Sequence, residues 1–196
     1  MIDYQTELQK MVADDNLMNS YKLFMLKALL SNCSPEKSEF SFYELACWMI
    51  AYSFSTVCRL GKRIRHFDKL YDMAILLINE EDILMSSKVY DIYETALFSK
   101  SSLVRRSILS LTNYVPYRLL AYKWYEELKG KTDAEKNNLI VEFSNIDDDS
   151  FYRIIRVGKE RSIVVNEKWA DYIKLNRTTL LQWIDDKTNQ FINKEY

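Results

Sequence analysis

The sequence predicts a mainly α-helical fold, and three observations favour it. Gly and Pro are scarce, at 3 and 2 of 196 residues, whereas sandwiches and barrels need many turn residues. Apolar residues recur at helical spacing along most of the chain. Hydrophobic residues make up 48% and aromatic residues 14%, which supplies a bulky core. We expect one domain over 1–196, built as a multi-helix bundle with a small β-hairpin at 151–165 and a closing helix at 166–194.

Helical periodicity marks eight segments before the hairpin, at 3–12, 16–33, 41–59, 65–79, 85–99, 101–111, 117–128 and 133–143. The second segment is apolar nearly all round, which is typical of a central helix. At the start of the third, Ser41 and Glu44 have the spacing of a capping box, and Gly61 is a natural stop after its end. Phe67 and Val89 are assigned to the buried stripes of the fourth and fifth helices.

The last third of the chain predicts a change from helix to strand and back. A helix break is expected at 115–116, because residue 116 is proline. Two β-rich runs, 151–157 and 161–165, flank Gly158 and predict a hairpin. Asn166 then has the position of an N-cap for the closing helix.

Composition excludes several kinds of site. The three glycines lie far apart, so the glycine-rich loops that cradle phosphates are absent. A single histidine, His66, and three widely spaced cysteines provide neither a zinc site nor a disulfide framework. No metal or cofactor is therefore expected.

Net charge and hydropathy limit the partners. The formal net charge is −1, so nucleic acid would have to bind at a local basic patch. The longest uncharged run, 45–58, has 14 residues and is too short to span a bilayer. The first ten residues are acidic and polar, unlike a signal peptide. We expect a cytoplasmic protein without a membrane partner.

The largest charge anomaly lies at 59–69, where five Lys or Arg side chains accompany one Asp and give a local net charge of +4. Its candidate nucleic-acid-binding residues are Arg59, Lys62, Arg63 and Arg65. In one interpretation they contact phosphates. In the other they offset the exposed carbonyl dipoles at a helix C-terminus. The sequence leaves both open.

Further basic candidates lie in two other places. One is the pair Arg105 and Arg106, and the other is the hairpin, with Arg153, Arg156, Lys159 and Arg161. Alternate residues of a strand share a face, so we expect Arg153 to lie on one side with Lys159 or Arg161. Whether these groups converge on one groove with 59–69 depends on the fold.

The closing helix carries aromatic residues that suit a protein interface. Trp169, Tyr172 and Trp183 are the candidates, because Tyr and Trp are enriched at interfaces. The same side chains would serve equally well in the core. Richness in aromatics and seven Met residues point to a protein partner or a second copy of the chain.

The chain resembles a known family in the order of several short segments: NSYKLFMLKALL, LGKRIRHFDKL, VPYRLL and a closing stretch with Asn166, Trp169, Tyr172 and Asn176. This order is similar to the N-terminal helical region of bacterial proteins that end in an HNH endonuclease domain. The resemblance implies an accessory domain for DNA engagement or assembly, in a phage-defence or mobile-element system. The His, Asn and His of the HNH motif are absent from this sequence, so no catalytic residue is carried over. A natural stand-alone chain and a truncated one both stay open.

Three functions remain in order of expectation. The first is a non-catalytic module that binds DNA or RNA, or a nuclease partner, through the basic residues. The second is a protein–protein interaction or oligomerisation subunit that does not bind nucleic acid. The third is an enzyme using His66, which would need a carboxylate beside that histidine in a pocket.

Overall fold

The computed structural model describes residues 2–14 and 17–194, and helices dominate it, as the sequence predicts. Its helices are α1 (Tyr4–Met11), α2 (Tyr21–Asn32), α3 (Phe42–Leu60), α4 (Leu70–Glu80), α5 (Val89–Phe98), α6 (Ser102–Leu111), α7 (Val115–Leu120), α8 (Tyr125–Leu128), α9 (Asp133–Ile146) and α10 (Glu167–Asn193). A 3₁₀ helix, Ala121–Trp124, joins α7 to α8. The predicted order of a helical body, a hairpin and a long closing helix is confirmed.

The hairpin belongs to a three-stranded antiparallel sheet. Its strands are β1 (Glu39–Ser41), β2 (Tyr152–Val157) and β3 (Glu160–Val165), in the order β1-β3-β2. The hairpin was predicted, whereas β1 was not, because three residues are too few to show an alternating pattern. In β1, Phe40 pairs with Ile163 and is 1% exposed, so this short strand buries a large ring.

Local capping signals behave as predicted at the main helix ends. The Ser41 side chain accepts a hydrogen bond from the Glu44 amide at the start of α3. Gly61 ends α3 with a left-handed φ of 63°, a conformation that costs glycine little. Asn166 accepts a hydrogen bond from the Lys168 amide and caps α10.

Two helices begin later than predicted. Helix α2 begins at Tyr21 and α4 at Leu70, because a buried carboxylate, Asp68, holds the preceding loop out of helical conformation. The assignment of Phe67 and Val89 to buried stripes is therefore wrong. Phe67 is 74% exposed in this loop, and Val89, at the first turn of α5, is 40% exposed.

The predicted break at 115–116 is also wrong. The chain leaves the helix at 112–114, and α7 begins at Val115 with Pro116 in its first turn. Proline is tolerated there because a first-turn amide has no partner within the helix. The interruption falls instead at Ala121, where the helix tightens to 3₁₀ geometry.

The core is one cluster of buried side chains with α2 and α3 at its centre. Seven of the twelve residues of α2 are buried, which confirms the central position predicted from its apolar surface. Helix α10 packs across α2, and the sheet packs against α9. Among residues 2–14 and 17–194, no helix is both long and apolar enough to cross a membrane.

Candidate nucleic-acid interface

A basic surface forms where α3 ends. We call it the α3-end surface and define it by Arg59, Lys62, Arg63, Arg65, His66, Phe67 and Lys69. Part of it is an open cleft of about 870 Å³ between the loop after Gly61 and the last residues of α10. The loop contributes Lys62, Arg63, Arg65 and His66 to this cleft, and α10 leads into it at Ile192.

Two cations of this surface have structural partners. The Arg63 guanidinium forms a forked pair with Asp72, with Nε–Oδ1 at 3.1 Å and Nη2–Oδ2 at 2.7 Å, and it donates to the His66 carbonyl at 3.2 Å. Arg65 donates to the Phe191 carbonyl at 2.6 Å and lies 4.5 Å from the centre of the Phe191 ring. These contacts support the helix-end interpretation for Arg63 and Arg65.

Three other cations face solvent. The side chains of Arg59, Lys62 and Lys69 are exposed and form no ion pair with any residue in 2–14 or 17–194. Such cations are available to phosphate oxygens at little desolvation cost. The phosphate-contact interpretation therefore applies to these three rather than to the whole segment. Lys69 was counted in the local charge but was not among the named candidates.

His66 lines the cleft and its ring meets the exposed Phe67 ring edge-on, with centroids 4.8 Å apart. The described residues that line the cleft with it include no carboxylate. The arrangement that would support a catalytic histidine is therefore not found in this part of the chain. Nor do the described residues hold any group of three His, Cys, Asp or Glu side chains fit for a metal ion.

Arg105 and Arg106 lie on α6, near the other end of α3. Arg105 lies 5.2 Å from the centre of the Tyr43 ring and its guanidinium donates to the Ser99 carbonyl at 3.4 Å. Arg106 is exposed and bonds the Ser102 carbonyl one turn earlier at 3.2 Å. Arg105 is thus partly committed to packing, whereas Arg106 faces water.

The hairpin cations do not share a face in the predicted way. Arg156 pairs directly with Arg161, and Arg153 pairs with Val164. Directly opposed residues lie on the same face, so Arg153 and Arg161 lie on opposite faces, and that prediction is wrong. Lys159 lies in the two-residue turn between the strands.

On the inner face of the hairpin, the arginines cover aromatic rings. Arg156 lies 5.3 Å from the Tyr117 ring centre and donates to Asn138 at 2.8 Å. Arg161 lies 5.1 Å from the Phe42 ring centre. These contacts are the cation–π geometry, which stabilises a partly buried guanidinium.

The basic groups do not converge. Arg105, Lys159 and Arg161 line one groove of about 860 Å³, and Glu39, Glu44 and Glu160 line it too. This groove lies at the N-terminal end of α3 and the α3-end surface at its C-terminal end. The 19 residues of α3 separate them by about 28 Å, at about 1.5 Å per residue. Opposite charges in the groove leave the α3-end surface as the stronger anion site.

The aromatic residues of α10 differ in accessibility. Trp169 is 1% exposed, packed between Tyr4 and Phe151 with ring centroids 4.7 and 4.8 Å away, and offers no free face to another chain. Tyr172 is half-buried and stacks on Tyr4 at 4.5 Å. Trp183 is half-buried against the core. Of the three interface candidates, Tyr172 and Trp183 keep an accessible edge.

The cysteines are shielded. Burial raises the pKa of Cys33 to about 12, and it also raises the pKa of Cys47 and Cys58. Their thiols stay protonated at neutral pH, which suits packing and not nucleophilic chemistry.

Sequence reasoning missed a second surface. Met18, Tyr114, Tyr122 and Tyr125 line an apolar cavity of about 410 Å³ between the start of α2 and the α7–α8 segment, and we call it the tyrosine groove. The sequence signal was weak, because these residues come from three separate segments. Only the irregular helix pattern at 112–128 marked the region as unusual.

No protein-family model matches the sequence, and comparisons with curated proteins and with solved structures found no match. The resemblance to the N-terminal region of HNH-endonuclease proteins therefore stays a prediction. Function has to be argued from the surfaces described above.

Proposed function

We propose that this chain is a non-catalytic module that binds single-stranded nucleic acid through the α3-end surface. The observation that carries the proposal is the position of Phe67. Its ring is 74% exposed and lies between the cations at 62–65 and Lys69. An aromatic ring among cations is the arrangement by which proteins stack a base and hold its phosphates.

The electrostatics of the surface support an anionic ligand. Arg59, Lys62 and Lys69 have no acidic partner among the described residues, and the one nearby acid that is solvent-exposed, Asp72, is occupied by Arg63. Arg65 bonds neutral carbonyls, so its charge is not cancelled. A backbone of phosphates passing the end of α3 would meet an excess of positive charge.

Single strands are favoured over duplexes because stacking on Phe67 needs an unpaired base face. Stacking on an aromatic side chain contributes about 1–3 kcal/mol per base. RNA and DNA both present such faces, so the test includes both. A nuclease acting on the bound strand is the proposed protein partner, which rests on the resemblance to HNH-endonuclease proteins.

The test is a set of anisotropy titrations with labelled single-stranded RNA, single-stranded DNA and duplex DNA across a salt series. Three phosphate contacts predict a log–log slope of about −2, or about a 20-fold loss of single-strand affinity over a fourfold rise in salt. Arg59→Ala with Lys62→Ala should reduce the slope by about 1.4. The matched control is Lys88→Ala with Lys100→Ala, which removes two exposed cations elsewhere and should leave the slope unchanged.

Phe67→Ala separates stacking from charge. We expect it to weaken single-strand binding by about 5- to 100-fold without changing the salt slope. Phe98→Ala, which removes another ring that is 69% exposed, should have no effect. The proposal is contradicted if no nucleic acid binds at low salt, or if the Arg59 and Lys62 variant binds like the control.

We propose, as a second candidate, a protein–protein interaction through the turn before α5. Leu84, Met85, Val89 and Tyr90 are 68%, 63%, 40% and 58% exposed within seven residues of chain. Such a group of exposed apolar side chains is typical of an interaction surface. Light scattering should then show an oligomer that Leu84→Ser with Met85→Ser dissociates. A monomer at every concentration would count against self-association.

A further inference from the structure

We propose that the tyrosine groove binds a small amphipathic anion, a molecule with an apolar or aromatic body and one anionic end. This site is separate from the α3-end surface and independent of the proposed nucleic-acid function. The groove has an apolar compartment and, joined to it, a basic compartment. Both follow from the way the chain at 115–128 changes its helical geometry.

The apolar compartment is walled by side chains from α2, α6 and α7. Leu111, Val115 and Tyr122 form its walls, and Tyr114 and Tyr125 form its rim at 52% and 63% exposed. Its cavity of about 410 Å³ lies within the range of pockets that hold small ligands. Burying an apolar body here would remove both the body and the exposed rings from water.

The basic compartment continues from the first one. It has a similar volume of about 410 Å³ and shares Arg118, Ala121 and Tyr125 with the apolar compartment. Lys129 and Lys136 line its far side. The 3₁₀ helix at Ala121–Trp124 places Arg118 and Tyr125 on either side of the junction between the two compartments.

The charges favour an anion at that end. Among the described residues that line either compartment, none is acidic. Arg118 pairs with Asp133, which does not line the cavity, whereas Lys129 and Lys136 form no ion pair with the described part of the chain. An anionic group in the basic compartment would be held by two ammonium groups, while its apolar body extended past Tyr125.

The probe for this test is anilinonaphthalene sulfonate, which has an aromatic body and one sulfonate. We expect saturable fluorescence enhancement with one site per chain. Octanoate should displace the probe, whereas octanol at equal concentration should displace it at least about tenfold less well, because only octanoate has an anion for the lysines. Adenosine monophosphate should not displace it, because its anion is attached to a polar sugar.

The variants test the two compartments separately. Tyr125→Ala should weaken probe binding about tenfold or more, since it removes the ring shared by both compartments. Lys129→Gln with Lys136→Gln should weaken octanoate binding about fivefold or more and leave octanol unchanged. The matched controls are Tyr90→Ala and Lys88→Gln with Lys100→Gln, which lie outside the groove and should bind as wild type. Arg59→Ala with Lys62→Ala should also bind as wild type.

Circular dichroism of each variant checks that it is folded, and these side chains are exposed enough for substitution to be tolerated. Absence of saturable probe binding would overturn the proposal. So would equal binding by Tyr125→Ala and Tyr90→Ala. Displacement by adenosine monophosphate but not by octanoate would overturn it as well, because the groove would then be a nucleotide site.

Discussion

The carboxylate of Asp68 and the backbone amide of Ser20 form a buried hydrogen bond of 3.1 Å that links the starts of two helices. Both residues are fully buried. The same carboxylate also accepts from the Ser20 hydroxyl and from the Leu70 amide, at 3.0 Å for the latter. Ser20 precedes α2 and Leu70 begins α4, so one side chain satisfies amides at both helix starts. Burial raises the pKa of the Asp68 carboxyl, and these hydrogen bonds act in the opposite direction.

Asp68→Ala should lower the free energy of unfolding by about 2–4 kcal/mol, because it leaves buried donors at Ser20 and Leu70 without an acceptor. Asp68→Asn should cost less, since its amide oxygen still accepts. Chemical denaturation measures both. Asp72→Ala is the control, because it breaks only the exposed pair with Arg63 and should cost about 1 kcal/mol or less. A loss for Asp68→Ala no larger than for Asp72→Ala would refute the role of the buried carboxylate.

Arg65→Ala should release the end of α10, because it removes the hydrogen bond to the Phe191 carbonyl and the contact with the Phe191 ring. We expect faster amide hydrogen exchange over 187–193 and a stability loss of about 1–3 kcal/mol. Arg65→Lys should not restore protection, since a single ammonium cannot both fork to carbonyls and stack on a ring. Arg59→Ala serves as the comparison and should leave exchange in α10 unchanged.

Asp14 should make stability at the end of α10 sensitive to acid. Lys187 and Lys194 lower the pKa of its carboxyl to about 2. Because that pKa lies below the value of the unfolded chain, the stabilisation is fully present above about pH 5 and disappears as the pH falls towards 2. The measurement compares wild type with Asp14→Asn across this range. The difference between them should be small and salt-sensitive at neutral pH and should vanish in acid; a constant difference down to pH about 2 would contradict the pairing.

Gly158→Ala should weaken the hairpin by about 1–2 kcal/mol, measured by chemical denaturation. Gly158 has a φ of +61°, and a side chain there would meet nothing within 4 Å, so the cost comes from backbone strain alone. Gly158→Asn should cost less, because Asn tolerates the left-handed region. Lys159→Ala, at the other position of the turn, should be nearly neutral. Equal effects at 158 and 159 would show that the turn conformation does not matter.

Local signals in the sequence predicted the parts of the fold that depend on neighbouring residues. The caps at Ser41, Gly61 and Asn166 each need only a few adjacent residues, and each is present in the structure. Phe67 was misassigned because its helical spacing was real but Asp68 holds the chain in another conformation through Ser20, 48 residues away. No periodicity analysis contains that contact.

The candidate site divided in the same way. Clustering in the sequence correctly indicated a basic surface, since Arg59, Lys62 and Lys69 all face solvent near the end of α3. It could not separate them from Arg65, whose partner at Phe191 is 126 residues away. The distance between the α3-end surface and the hairpin cations also depends on tertiary packing, as does the tyrosine groove.

The position of β1 has a consequence for synthesis on the ribosome. Ser41 is both the last residue of β1 and the cap of α3, so strand and helix are joined without a loop. The strand's only partner, β3, is translated long after it, because Phe40 pairs with Ile163. The nascent helical half must therefore leave ribosomes with an unpaired strand and an uncovered Phe40 ring. We expect it to depend on chaperones until the hairpin has emerged.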